Sequence, residues 1–204
     1  MPDLIIKPEA TSGNKLILQD QAGGAVLTTA DSGADYVGTT KGTIDSTATF
    51  PVGHVIQYDA DFETTTWSTT GAVFPSDSTK PQITEGQGPI LSLAFSPKVA
   101  GSTLEILVNV GMDANEADNL AIALFNTAIH ATDAVAVSAS RTAGGVNQNL
   151  TILHNYTTPS TASATWLVRA GGSASGATTK VAQSNSGFTY GGMQYGITIK
   201  EIMA

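Results

Sequence analysis

The chain has 204 residues, which is enough to bury a hydrophobic core in one domain with a small appendage. Hydrophobic residues make up 41% and charged residues 13%, and abundant Ser, Thr and Gly favour short strands and turns over helices. A net charge of −8 with only nine basic residues argues against nucleic-acid binding, and the absence of cysteine excludes disulfides and thiolate metal sites.

The N-terminal 40 residues differ from the remainder of the chain. They contain a short apolar strand at 4–7 and a predicted hairpin, in which strands at 15–19 and 25–28 flank a loop at 20–24. Strands this small are marginal alone, so we expect them to fold against other copies or to dock on a partner. The alternative is that they pack on the main domain. The N-terminus lacks a signal-sequence pattern and no apolar run is long enough for a membrane helix, so we expect no membrane insertion.

Residues 41–204 form the predicted main domain, with 41–88 as its lead-in. Strands are expected at 53–58 and 62–70, followed by a long Pro-, Ser- and Thr-rich loop at 74–88. The stretch 88–111 has two alternating apolar runs joined by Pro-Lys-Val-Ala-Gly, which predicts a central β-hairpin.

Five more alternating segments follow, each bounded by Gly, Asn, Ser or Pro. They lie at 119–126, 134–140, 147–156, 164–170 and 195–202. A helix of one or two turns is the alternative for 119–126, but the alternation of Leu120, Ile122 and Leu124 favours a strand. This succession of short alternating segments and turn signals predicts an all-β fold, an antiparallel jelly-roll β-sandwich.

Several predicted strands also carry a large apolar residue on the face opposite the core. These residues are Leu107, Phe125, Leu153 and Leu167. A monomeric sandwich places polar residues there, so the pattern favours a subunit interface. The alternatives are that loops cover these side chains or that the two faces are exchanged.

Catalytic and metal-site signatures are weak, so we predict neither an enzyme nor a bound cofactor. His54, His130 and His154 lack ligand spacing for zinc. The carboxylate-rich stretch 111–119 predicts a solvated turn; a weak calcium site at 113–118 is the alternative, although Ala117 and Asp118 break the calcium-loop pattern.

Exposed aromatic side chains are candidates for stacking on sugars. Trp67 and Tyr190 lie in Thr- and Gly-rich segments and are the candidate glycan contacts. Trp166 alternates with Val168, which predicts a place in the core.

Three segments resemble small virion proteins of tailed bacteriophages, the short tail-fibre-like and head-decoration proteins. They are LIIKPEATSGNKLILQDQAGGAVLTT at the start, FPVGHVIQ at 50–57 and ITIKEIMA at 197–204. The similarity covers both ends and the start of the main domain, whereas the loop at 74–88 has no counterpart.

This resemblance implies a homotrimer on the virion surface, assembled in the host cytoplasm, with a C-terminal jelly-roll knob exposed. Residues 1–40 would dock on a capsid or tail protein, with the capsid preferred. The anchoring side chains would be Leu4, Ile5, Ile6, Leu16, Ile17 and Leu18. The alternatives are an adhesin that recognises a host surface glycan and, with less support, a hydrolase that cleaves such a polysaccharide.

Overall fold

A computed structural model describes residues 17–19, 25–30, 33–36, 51–184, 186 and 193–204. The chain divides into two compact units, 1–49 and 50–204.

In the first unit, the described residues form a three-stranded antiparallel sheet. Its strands are β1 (Ile17–Gln19), β2 (Ala25–Ala30) and β3 (Gly33–Tyr36), in that order. The pairing of β1 with β2 confirms the predicted hairpin, whereas β3 was not predicted. The strand expected at 4–7 lies outside the described residues.

The second unit is an antiparallel β-sandwich, which confirms the predicted all-β class. A six-stranded sheet contains β4 (Val55–Glu63), β5 (Trp67–Thr70), β7 (Thr103–Ala114), β10 (Gln148–Thr157), β12 (Thr178–Val181) and β13 (Tyr195–Ile202). A four-stranded sheet contains β6 (Gln87–Phe95), β8 (Asp118–Asn126), β9 (Ala136–Thr142) and β11 (Ala164–Gly172), in the order β6-β11-β8-β9. Most consecutive strands from β5 to β12 cross from one sheet to the other.

The core lies between the two sheets and follows the period-2 pattern of the strands. Even-numbered residues of β7, β8 and β11 point inward, and odd-numbered residues of β6 and β13 join them. The largest fully buried side chains include Trp166, Tyr195, Phe95, Ile106, Leu124 and Ile197. Trp166 is therefore a core residue, as predicted, and the segment 119–126 is a strand.

The predicted central hairpin at 88–111 is wrong. Both strands exist, but β6 pairs with β11 in one sheet, whereas β7 pairs with β10, β12 and β13 in the other. Their apolar faces meet across the core instead of lying side by side. An alternating pattern indicates only that one face of a strand is buried. Two consecutive strands show this pattern both when they pair in one sheet and when they lie in opposite sheets.

Two further boundaries differ from the expectation. The strand predicted at 62–70 is divided, because β4 ends at Glu63 and β5 begins at Trp67. The loop predicted at 74–88 ends at residue 86, because β6 begins at Gln87. Over the described part of the chain, no helix has the length and apolarity needed to cross a membrane.

Candidate interaction surface on the six-stranded sheet

Four strands of the six-stranded sheet present one continuous outer face. Strand β13 pairs with β4 and β7, and β7 pairs on its other edge with β10. In one row across this face, Ala60, Thr198, Leu107 and Leu153 are successive neighbours. We call the outer face of β4, β13, β7 and β10 the open face.

The open face exposes large apolar side chains. The exposed fractions are 57% for Tyr58, 52% for Phe62, 41% for Leu107 and 65% for Leu153. An antiparallel sheet that faces water normally carries polar residues on that side. Contiguous exposed apolar groups instead mark a surface that binds another molecule.

The charges on the open face cancel each other. Lys200 donates a hydrogen bond to Glu105 Oε1 at 2.8 Å, and these residues are paired opposite each other on β13 and β7. This hydrogen bond, together with the charge of Glu105, raises the pKa of Lys200. Asp113, the remaining ionisable outward residue of these strands, is 0% exposed and lies opposite Lys180 of β12. The exposed outward residues apart from Lys200 and Glu105 are uncharged, so the exposed part of the face is neutral in a chain of net charge −8.

A glycine shapes the centre of the open face. Gly196 lies opposite Phe62, and a Cβ at Gly196 would clash with Phe62 Cδ1. The missing side chain therefore allows the Phe62 ring to lie against the sheet. Beside the ring is a shallow depression of about 340 Å³, lined also by Leu107, Asn109 and Thr198.

The outer face of the four-stranded sheet is covered by the chain itself. Phe74, from the loop at 71–86, packs with Phe125, Ala121 and Ala123 in a second apolar cluster. Ile83 from the same loop and Leu167 from β11 pack against this cluster. The two outer faces of the sandwich are therefore different, because the loop covers one of them.

Arg169 holds this covering loop in place. Its Nε donates to Glu85 O at 2.7 Å and its Nη2 donates to Gly86 O at 3.1 Å. Partial burial of the guanidinium lowers the pKa of Arg169. Backbone hydrogen bonds from Phe74 N to Gly172 O and from Ile83 N to Thr132 O attach the loop at two more points.

The predicted interface residues fall on both sides of the sandwich. Leu107 and Leu153 are exposed neighbours on the open face. Phe125 is only 1% exposed and Leu167 is half-buried, because the loop covers them. These two side chains are therefore not on a free surface of this chain, which corrects their assignment to an exposed outer face. The interface itself stays a prediction.

Sequence reasoning missed Tyr58 and Phe62. The signal was present, because β4 alternates Tyr58, Ala60 and Phe62 on one face with Asp59, Asp61 and Glu63 on the other. The sequence analysis placed Tyr58 and Phe62 in two separate predicted strands, at 53–58 and 62–70, so their common face on β4 was not recognised. In the structure this set lies outward, beside Lys200, Thr198 and Gly196.

The candidate glycan contact Trp67 is half-buried and hydrogen-bonded within the chain. Its Nε1 donates to Tyr195 Oη at 2.9 Å, and that hydroxyl donates to Thr65 O at 3.1 Å. Burial is the largest cause that raises the pKa of Tyr195. Tyr190 lies outside the described residues. A glycan contact at either residue stays a prediction.

The carboxylates at 113 and 118 are not in a solvated turn, which corrects that expectation. Asp113 is 0% and Asp118 is 4% exposed, and only residues 115–117 separate β7 from β8. Asp118 Oδ1 accepts hydrogen bonds from the backbone N–H groups of Asn119, Ser173 and Ala174 and from Ser173 Oγ. The role of Asp118 is therefore to join β8 to the segment that follows β11.

No metal centre is found among the residues that the structure describes, since no three His, Cys, Asp or Glu side chains come together there. His54 and His130 are exposed. His154 lies 6.3 Å from Trp166 between ring centroids, and desolvation lowers its pKa. The His154 ring therefore packs near the Trp166 ring at a tilted angle.

The predicted anchor residues lie almost entirely outside the described part of the chain. Leu4, Ile5, Ile6 and Leu16 fall outside it, and Ile17 and Leu18 are in β1. Docking through this segment stays a prediction.

Comparison with known proteins identifies no family. No family model and no curated protein matches the sequence. Among solved structures, the chain is similar to one in the structure of infectious bursal disease virus Gx strain, with 12% identity and a TM-score of 0.36. The match covers 89% of this chain and 50% of the other, so this chain spans about half of the length of the protein that it matches. A likeness of this degree carries no argument about function.

Proposed function

We propose that this chain is a non-enzymatic structural protein of a virus particle, a short homotrimeric fibre or decoration. The unit at 50–204 forms the exposed knob, and the N-terminal unit docks on a capsid or tail protein. The resemblance of residues 4–29, 50–57 and 197–204 to phage virion proteins supports placement on a virion and the trimeric state. The exposed apolar side chains of the open face are the observation that supports self-association.

The open face suits a second copy of the same chain better than an unrelated partner of opposite charge. Two copies of a chain with net charge −8 repel each other over most of their surfaces. On the open face the Lys200–Glu105 pair leaves no net charge, so three copies can turn this face toward a common threefold axis without that repulsion. Association then buries Tyr58, Phe62, Leu107 and Leu153, and buried apolar area stabilises at about 25 cal/mol per Å².

The experiment that tests the function is immunogold labelling of intact particles from the source virus. The antibody should be raised against residues 50–204, since this unit is the proposed exposed knob. We expect gold particles over the head, and a pre-immune serum serves as the control. Label confined to the tail would contradict the position on the head and indicate a tail fibre. Particles without label would contradict the proposal.

A second candidate function is adhesion to a host surface glycan, and it has one observation in its favour. Trp67 lines an open depression of about 410 Å³ at the edge between β4 and β6, together with Asp61, Glu63, Thr65 and Ser92. Aromatic and polar side chains of this kind can contact a sugar ring. Binding of the intact assembly to host polysaccharide, weakened by Trp67→Ala, is the expected result, and no binding would contradict adhesion.

A further inference from the structure

The two flanks of the open face, β4 on one side and β10 on the other, carry different side chains. Three rows of paired residues cross the face from β4 to β10 by way of β13 and β7. The rows join Tyr58 to Asn155, Ala60 to Leu153, and Phe62 to Thr151. Among the described strands, β4 pairs only with β13 and β10 only with β7, so both flanks lie at an edge of the sheet.

The flank on β4 has a notch between two aromatic rings. Tyr58 and Phe62 are both more than half exposed, and on this face of the strand only the methyl group of Ala60 lies between them. A strand rises about 3.3 Å per residue, so the two aromatic residues are about 13 Å apart along β4. Because Gly196 lets the Phe62 ring lie against the sheet, one wall of the notch has a defined position.

The flank on β10 has one projecting apolar side chain. Leu153 is the most exposed apolar residue of the open face, and its outward neighbours on the strand, Thr151 and Asn155, are polar. Leu153 lies in the same row as Ala60. The single leucine on one flank is therefore level with the notch on the other flank.

Threefold symmetry brings unlike flanks together. Three identical chains close into a ring through contacts in which one patch meets a different patch of the next copy. Rotation about an axis that runs along the strands leaves the height of every residue along that axis unchanged, so each row meets the same row of the next copy. The middle row does so most closely, because the twist of a sheet displaces the ends of its strands more than their centres.

We infer that the threefold axis runs along the strands of the open face and that Leu153 of each copy packs on Ala60 of the next, between Tyr58 and Phe62. Leu107, at the centre of the middle row, then faces the axis. The contact buries the most exposed aliphatic side chain of the face against two aromatic rings. This arrangement rests on the proposed self-association and specifies which flanks meet.

Engineered thiols test the contact, because the chain contains no cysteine. In Ala60→Cys/Leu153→Cys, the two thiols of one chain are three strand spacings, about 14 Å, apart, whereas a disulfide requires Cα atoms within about 7 Å. Any disulfide in this variant therefore joins two copies. We expect mild oxidation to give a covalent species of about three times 20.9 kDa on a non-reducing gel.

The matched control is Ala60→Cys/Thr157→Cys. Thr157 is also exposed on β10, but it lies four residues from Leu153, about 13 Å along the strand. This variant keeps Leu153 and should stay unlinked under the same oxidation.

A variant without thiols tests the notch by itself. Ala60→Phe fills the space between Tyr58 and Phe62 and retains Leu153. We expect its trimer to dissociate at about tenfold higher protein concentration than the wild type, measured by light scattering over a dilution series.

The outcomes separate this arrangement from the self-association on which it rests. If the wild type is a trimer but Ala60→Cys/Leu153→Cys stays unlinked, or if Leu153→Cys links by itself, the arrangement is wrong and self-association stands. Unchanged dissociation of Ala60→Phe would also overturn the arrangement. A wild type that is monomeric by light scattering would contradict self-association as well.

Discussion

At the scale of single residues, Glu201 is the most informative position. It is 0% exposed on β13, and its carboxylate accepts hydrogen bonds from Lys98 N, Val99 N and Ser102 Oγ at 2.7–3.0 Å. These donors belong to the segment between β6 and β7. The buried carboxylate of Glu201 therefore holds the segment between β6 and β7, which connects the two sheets and lies about 100 residues earlier in the chain.

Replacing Glu201 with Gln should destabilise the knob by about 2 kcal/mol, because the amide cannot accept all of these hydrogen bonds and a buried donor loses its partner. Guanidinium unfolding at a fixed protein concentration measures the change. The exposed Glu116→Gln is the matched control and should differ from wild type by less than about 0.5 kcal/mol. Equal stability of both variants would show that Glu201 does not hold the connection.

The sequence contains part of the signal for Glu201. Tyr195, Ile197, Ile199 and Glu201 alternate on one face of β13, so the pattern places a carboxylate among core residues. The pattern does not identify the partners, because they are backbone groups about 100 residues away. Trp166, by contrast, was predicted correctly, since its place in the core depends only on its own strand.

At the scale of elements, strand positions follow from the sequence but strand neighbours do not. Alternation located β7, β8, β10, β11 and β13 to within a few residues. It could not show that β6 and β7 lie in opposite sheets, because loops of similar length join strands in either arrangement. It also gave no sign that the loop at 71–86 covers Phe125, since that depends on where Phe74 and Ile83 pack.

The covering loop supplies a prediction at this scale. Arg169→Met keeps an apolar stem but removes the two hydrogen bonds to Glu85 O and Gly86 O. We expect amide hydrogen exchange in 72–86 to become about tenfold faster, since loss of the two hydrogen bonds that the guanidinium donates to these carbonyls weakens local closure. Exchange followed by mass spectrometry measures this.

The exposed Arg141 provides the control for that experiment. Arg141→Met removes the same charge from β9, and exchange in 72–86 should match that of the wild type. Unchanged exchange in both variants would mean that Phe74 and Ile83 hold the loop without Arg169.

At the scale of the whole molecule, the central feature is the asymmetry of the sandwich. The chain covers the outer face of its four-stranded sheet with its own loop and leaves Tyr58, Phe62, Leu107 and Leu153 exposed on the other sheet. The sequence predicted an apolar outer surface, but half of the residues that carried this prediction are covered. Only the position of the loop at 71–86 in the structure distinguishes the covered Phe125 and Leu167 from the exposed Leu107 and Leu153.

The most direct test of self-association through the open face is the mass of the full chain by light scattering after gel filtration. We expect about three times 20.9 kDa for the wild type and about 20.9 kDa for the double variant Leu107→Asp/Leu153→Asp. Val137→Asp, an exposed aliphatic position on the other sheet, is the matched control and should keep the wild-type mass. A wild-type mass of 20.9 kDa, or an unchanged trimer in the double variant, would contradict self-association through the open face.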